Sequence, residues 1–306
     1  MKILVTGGLG FIGSNLARAL QDMGHEVSVI DNLLLGTKEN VKDIKDKIQV
    51  IIGDVNKKED LEKAGKPEII FHMAASSSSP MFQEDLKGCY RNNIEGFINI
   101  LEFARDSGTK KVIYASTSSI YGNNPTPLRE DDKVIPPNYY SITKLDTEYT
   151  AHIFAKANNI ECIGFRFMSV YGPGEKAKGK FANLASQFLW EMMAGRQPIL
   201  YGDGTQRRDF THVDDIVQAN ILAMETNKKF ESTIFNIGES KDYSLLELVE
   251  IINKVLGTDI KPSFIPNSIK GTYIYTQLGD LTKIKKELGY EPQVSLEDGI
   301  RRLSKE

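Results

Sequence analysis

Along the first 172 residues, short runs that are apolar over their whole length alternate with stretches whose apolar positions recur every three or four residues. The runs are KILVTG (2–7), EVSVID (26–31), IQVIIGDV (48–55), EIIFHMAA (68–75), KVIYAST (111–117) and ECIGFRFMSVYG (161–172). Helical patterns follow most of them, as at 11–23, 92–107 and 138–157. A strand that is apolar on both faces has no side to give to water. Such runs predict a parallel sheet covered by helices above and below. Right-handed crossovers make that sheet doubly wound, so the expected fold class is α/β. After residue 172 the rhythm breaks into the loop YGPGEKAKGK and then mixes helix with short strand. The run 233–238 reads as a strand returning to the first sheet, and 244–257 and 280–290 read as helices of a smaller lobe. The expected division is a sheet domain over 1–172, with a returning segment near 209–238, and a C-terminal α/β lobe over 173–306. No internal repeat or low-complexity linker interrupts the chain.

The first strand runs into VTGGLGFIGSNLARAL, with Gly7, Gly10 and Gly13 spaced by three. Gly7 permits a tight turn, Gly10 lets the backbone approach a pyrophosphate, and Gly13 lets the helix pack closely on the strand. The helix N-terminus offers free N–H groups and a positive dipole end to the phosphates. The second strand ends at Asp31, where a carboxylate can take both ribose hydroxyls of a dinucleotide. Together these predict a Rossmann sheet. Asp31, with no Arg after it, favours NAD over NADP, although Lys38 is near enough in sequence to blur the preference.

Composition narrows the rest. The 306 residues are 41% hydrophobic and 26% charged, as in ordinary globular proteins. A net charge of −3 provides no general basic surface for nucleic acid, so an anionic ligand needs locally placed Arg and Lys. Cys89 and Cys162 sit in apolar-periodic stretches and read as buried thiols in a reducing compartment. No apolar run approaches 18 residues and the N-terminus enters a strand at once, so a cytoplasmic, soluble protein with no membrane contact is expected. His212, Asp214 and Asp215 have the residue types of a metal site, but no second ligand cluster exists among only four histidines, so no metal is expected.

In VIPPNYYSITKLDTEYTAHIF (134–154), residues four apart share a helix face, so Tyr140 lies beside Lys144 while Tyr139 points elsewhere. Taken alone, such a pair is more often a core tyrosine beside a surface lysine.

The ordered set TGGLGFIG, DN (31–32), GDV (53–55), FHMAA (71–75), NN (92–93), YASTSSIYG (114–122), YSITK (140–144), FRFMSVYGPG (165–174) and YGDGTQRRDFTHVDD (201–215) changes that weighting. Over nearly its whole length the chain resembles the extended short-chain dehydrogenase/reductases of the nucleotide-sugar epimerase/dehydratase family. The resemblance implies that Tyr140 is the catalytic base, Lys144 its partner and Thr117 a hydroxyl sharing the proton path, with Ser116 and Ser118 as rivals of Thr117. A free tyrosine titrates near 10, so a base working near pH 7 needs about three units, or about 4 kcal/mol. One ammonium about 4 Å away at an effective dielectric of about 20 supplies roughly that much. The resemblance also places the NAD site on Gly7, Gly10, Phe11, Ile12, Gly13, Asp31, Asn32, Lys38, Asp54, Val55, Ala74, Ala75, Asn93, Ser116, Tyr140 and Lys144. It places the nucleotide-sugar site on Ser77, Thr117, Ser118, Tyr140, Ser169, Lys178, Arg208 and Lys270.

The implied reaction is oxidation of a sugar carbinol by bound NAD to a transient ketose, which takes the hydride back on its other face. Dehydratases of the family carry Asp-Glu after the Thr, and decarboxylases keep the Glu. Here those positions hold Ser118 and Ser119, which argues for epimerisation. A UDP-glucose 4-epimerase type is the expected branch. Ser169, in place of the usual Asn, and Ser77, where hexose 4-epimerases carry Lys, leave the sugar open. GPGEKAKG and KGTY (270–273) are similar to the ADP-heptose 6-epimerases, the alternative branch. A non-catalytic NAD sensor on this fold usually loses the Tyr or the Lys, and both are present. Relatives pair through two long helices, here about 84–107 and 138–157, so a homodimer is the expected partner state.

Overall fold

The computed structural model describes residues 1–267 and 273–305. Strands β1 (Lys2–Thr6), β2 (Glu26–Asp31), β3 (Gln49–Ile52), β4 (Ile69–His72), β5 (Lys111–Thr117) and β6 (Glu161–Phe167) join a last strand, Ser232–Ile237, in one sheet. Every pairing is parallel, and the order is β3-β2-β1-β4-β5-β6 followed by Ser232–Ile237. The sheet is therefore the doubly wound Rossmann arrangement, reversing direction between β1 and β4.

Both faces are covered, as uniformly apolar strands require. On one face Ile3, Val5 and Val29 pack with Leu16, Ala17 and Leu20 of α1 (Phe11–Asp22) and with Ile216 and Ala219 of the helix Val213–Glu225. On the other, Leu4, Ile70 and Val112 meet Phe97, Ile100 and Leu101 of the helix Gly96–Ser107 and Ala151 and Ala155 of the helix Tyr139–Asn158. Alternate residues of one strand feed opposite cores, which is the period-2 geometry of the pleat.

Several runs end earlier than their hydrophobicity suggests. The run 161–172 divides into β6 and a separate short strand, Ser169–Tyr171, which pairs with Phe210–His212 and not with the main sheet. The run 48–55 stops at Ile52; Gly53 still donates to the Asp31 carbonyl at 3.0 Å, and the chain turns at 55–56. A third core joins Phe188, Leu189 and Met192 to Leu248, Val249, Ile252, Leu296 and Ile300, together with Tyr171 and Phe210 of the small Ser169–Tyr171 and Phe210–His212 pair. The helix Thr282–Leu288 lies elsewhere. Its Ile284 and Leu288 pack into the core of α1 and not into the smaller lobe that its sequence position suggests.

Candidate active site

The strand order reverses between β1 and β4, and open α/β sheets gather ligands outside the carboxyl ends at such a point. Here the chain leaves β1 through Gly7, whose φ of 64° suits glycine. A Cβ on Gly7 would stand 2.8 Å from the Ala74 backbone, and one on Gly13 would stand 2.2 Å from the Gly7 carbonyl oxygen. Gly10 caps α1 without a side-chain acceptor, leaving the first-turn N–H groups to a ligand. A cavity of about 120 Å³ opens over this turn, lined by Gly7, Gly10, Phe11, Ile12, Gly13, Asp31, Asn32, Val55, Ala74 and Ala75. The Asp31 carboxylate accepts from the N–H groups of Leu9 (3.0 Å) and Leu33 (2.8 Å). Burial raises its pKa while these N–H groups pull it down. A glycine cradle, an uncapped helix start and a carboxylate at the end of β2 fit a dinucleotide.

A second cavity, of about 460 Å³, continues from the first across Phe11, Ile12, Met73, Ala75, Ser77 and Lys178, which line both. Thr117, Ser118, Ser119, Tyr140, Lys144, Ser169, Arg208 and Gln277 stand on its walls. Among the described residues no Asp or Glu lines it.

Local sequence explains how three of these groups meet. Pro136 and Pro137 keep the chain extended, and Asn138 then caps the helix Tyr139–Asn158 in a box with Ser141. The first helical turn therefore carries Tyr140 past the end of β5. The Lys144 ammonium, one turn on and 3% exposed, donates to the Ala115 carbonyl at 2.9 Å. Burial lowers its pKa to about 8, and Glu148 opposes that fall. Burial raises the Tyr140 phenol above its ordinary value, and a hydrogen bond with the Thr117 hydroxyl draws it back. His72 on β4 is buried beside this group. Burial, and then the Lys144 charge, hold its imidazole down at about 3.

Other expected residues stand elsewhere. Lys38 is exposed on the short turn Lys38–Val41 and lines neither cavity. Asp54 lines neither, its Oδ1 accepting from the backbone and side chain of Asn56. Asn93 is buried behind the wall, where Oδ1 accepts from the Ser76 N–H (2.8 Å) and Nδ2 donates to the Thr143 hydroxyl (3.0 Å). It ties the loop after β4 to the helix bearing Tyr140. Ser116 lines the larger cavity but gives its hydroxyl to Glu148 at 2.5 Å. Lys178 donates to the buried Glu175 at 2.9 Å. Arg208 donates to the carbonyl oxygens of Arg207 (2.7 Å), Ile274 (2.6 Å) and Tyr275 (3.1 Å) and lies 5.6 Å from the Tyr273 ring centroid. Lys270 lies outside the described residues.

Gln277 escaped the sequence reading. It arrives in the larger cavity from the irregular segment before the helix Thr282–Leu288, and only its neighbours in TQLGD could have marked it.

The model of the NAD dependent epimerase/dehydratase family matches residues 3–238. The chain belongs to that family. Among solved structures it is similar to the UDP-glucose 4-epimerase of Thermotoga maritima with UDP-glucose, at 33% identity and a TM-score of 0.92 over 100% of this chain and 98% of that one. It is also similar to the Helicobacter pylori ADP-L-glycero-D-manno-heptose-6-epimerase, at 33% identity and a TM-score of 0.86 over 98% and 94%. A UDP-N-acetyl-alpha-D-glucosaminuronate decarboxylase of Bacillus cytotoxicus is 31% identical over 98% of this chain and 95% of its own. The protein is thus an enzyme of an NAD-dependent nucleotide-sugar family whose members differ in sugar, nucleotide and outcome.

Proposed function

We propose that the protein epimerises a nucleotide-diphosphate sugar through a transient ketone, most closely in the manner of a UDP-hexose 4-epimerase. The observation that carries this reading is a cavity that joins Tyr140, Thr117 and Lys144 yet has no carboxylate on its described walls. Eliminating water beside a ketone needs a second acid–base pair, and Ser118 and Ser119 cannot supply one. Inversion of a carbinol needs only one group that takes a proton and gives it back.

Tyr140 takes the proton of the reacting hydroxyl, Thr117 relays it at the end of β5, and Lys144 stabilises the phenolate from within the cavity wall. Bound NAD supplies a site that accepts the carbinol hydride and returns it, together with a positive charge that helps ionise the phenol. Tyr140 then restores the same proton when the opposite face of the sugar is presented. The glycine turn, Asn32, Val55, Ala74 and Ala75 would hold the dinucleotide, with Asp31 at its ribose. That carboxylate favours NAD over NADP. Ser77, Ser118, Ser169, Lys178 and Arg208 would face the sugar diphosphate. Arg208 can do so by exchanging backbone carbonyls for phosphate oxygens, which suit its fork better.

An assay of UDP-, ADP-, GDP- and dTDP-sugars tests this reading. Inversion of one sugar without net loss of water or carbon dioxide is expected. Recovery of every sugar unchanged with cofactor present, or accumulation of a dehydrated product, would count against it. The ADP-heptose 6-epimerase reading draws on Lys178, a cation that lines both cavities and could serve as a second proton-transfer group. An ADP-heptose in the panel separates the two. The buried, unpaired thiols of Cys89 and Cys162 favour action in a reducing cytoplasm.

A further inference from the structure

One turn beyond Lys144 on the same helix face stands Glu148, its side chain 7% exposed. One carboxylate oxygen accepts from the Ser116 hydroxyl at 2.5 Å and from Arg166 Nε at 3.0 Å, and the other accepts from Arg166 Nη2 at 2.7 Å. Ser116 lies on β5 between Ala115, whose carbonyl receives the Lys144 ammonium, and Thr117, whose hydroxyl meets Tyr140. Arg166, on β6, also donates to the Tyr121 hydroxyl at 2.8 Å, which donates to Asn236 Oδ1 of the last strand at 2.8 Å. A single carboxylate thus joins the helix of Tyr140 and Lys144 to three adjacent strands.

We propose that Glu148 is a positioning residue for proton transfer: it locks the β5 segment Ala115–Thr117 to the helix, and it supplies the negative charge that keeps the Lys144 ammonium in a cavity whose described walls carry no carboxylate. The proposal rests on the reading of Tyr140 and Lys144 as the proton-transfer pair. The other titratable groups around this cluster are His72 from β4, Tyr114 from β5, Tyr121 from the turn after it, Arg129, Glu130, Asp131 and Asp132 from the following loop, Tyr140 and His152 from the helix itself, Cys162 and Arg166 from β6, and Lys283 from the helix Thr282–Leu288. His72 is neutral, because its imidazole is held near 3. Burial keeps both Tyr114 and Tyr121 protonated by raising their phenols. Arg166 is itself bound by Glu148, and Glu148 is the acid that raises Lys144 against its burial.

Glu148→Gln keeps an acceptor for Ser116 but removes the charge. The variant's lysine titration, followed by NMR of the Lys144 side chain in the NAD-loaded protein, needs no sugar. It therefore stays readable even if the sugar assignment fails. The expected result is a Lys144 midpoint about one pH unit lower than in the parent. With a turned-over sugar in hand, the alkaline limb of kcat should fall by the same interval, kcat should drop at least about tenfold, and KM should stay within about threefold. Because Glu148→Gln strands a buried guanidinium, Glu148→Gln/Arg166→Met provides a folded comparison without either charge. It should keep the lowered midpoint, whereas Arg166→Met alone should not lower it. An unchanged midpoint in both Gln variants, or loss of kcat that merely tracks the folded fraction with the limb in place, overturns the proposal.

Discussion

Gln277 Nε2 donates to the Ser118 hydroxyl at 3.0 Å inside the larger cavity, and its Oε1 receives the Ser169 hydroxyl at 3.4 Å. Ser118 stands where dehydratases of the family carry Asp, and Ser169 stands where the family usually carries Asn. One neutral side chain thus joins the two departures into a wall of hydroxyl and amide groups suited to an uncharged, polyhydroxylated sugar. Gln277→Ala removes that wall without touching Tyr140. The ratio of kcat/KM between sugars differing in bulk or hydroxyl orientation should move by at least about tenfold, since buried polar groups left unpaired penalise the original substrate. Competition between two sugar nucleotides measures it, and an unaltered ratio would remove Gln277 from recognition.

Tyr140→Phe deletes the hydroxyl and little else. The ring stays in its contact with Phe82, 6.0 Å between centroids. Turnover should fall by a factor of about 10² to 10⁴, the usual range for removing a positioned acid–base group. Cofactor affinity by calorimetry should change less than about threefold. Turnover close to the parent's would eliminate Tyr140 as the base.

How much of this was legible beforehand depends on the kind of force involved. The parallel sheet could be read because burial on both faces leaves a uniform mark in the strands, as in KILV and EIIF. The glycine turn could be read because steric exclusion admits one residue type at Gly7 and Gly13. Tyr140 and Lys144 could be placed together because helix geometry fixes a four-residue neighbour. Gln277 and the bonds of Arg208 left no periodic mark, since they rest on long-range folding of irregular segments. The engagement of Ser116 by Glu148 was hidden for a related reason. A strand-end serine looks the same whether its hydroxyl serves a ligand or a buried carboxylate 32 residues away.

Gly13→Ala tests the dinucleotide cradle. Its Cβ would fall 2.2 Å from the Gly7 carbonyl oxygen, and the nearest atoms are all backbone, so no flexible side chain can yield. The turn and α1 must separate. NAD affinity should fall at least about tenfold and thermal stability should drop as well, by the amounts seen on forcing atoms into a packed contact. Titration calorimetry with NAD checks it, and parent-like affinity would show that the turn is not the phosphate cradle.

The helix Tyr139–Asn158 leaves Ile142, Tyr149 and Ile153 exposed, the last at 68%, and Ile98 and Leu86 are also exposed nearby in sequence to the helix Gly96–Ser107. Apolar side chains at helical spacing on a surface favour a covering partner, and a second copy would bury the same face twice. Light scattering should therefore report about twice the 34.2 kDa of one chain. Ile153→Glu should shift the population to monomer. A monomeric parent at micromolar concentration would dismiss the paired-helix dimer.

Asp209 and Glu239 predict an unusual slope of stability with pH. Asp209 is buried and accepts from the N–H groups of Glu239 (2.7 Å), Gly279 (3.2 Å) and Ser240 (3.3 Å), which draws three separate segments together. Burial nevertheless raises its pKa to about 6, and burial followed by the Asp209 charge raises Glu239 to about 7. Folded values above the unfolded 3.8 and 4.5 mean that the folded state binds these protons more tightly. The resulting stabilisation is complete below about pH 4 and is lost as pH rises through 6 and 7. His72 acts the other way. Its folded value near 3 gives stability present above 6.5 and lost as pH falls. Comparing parent with Glu239→Gln cancels the His72 contribution. The amide still accepts from the Tyr243 hydroxyl, now 3.2 Å from Oε1, and it also frees Asp209 from a neighbouring charge. Between pH 5 and 7.5 the variant's unfolding temperature should decline less than the parent's, by roughly 2 °C or more. Parallel curves across that interval would mean that the two carboxyl groups do not share protons in the folded protein.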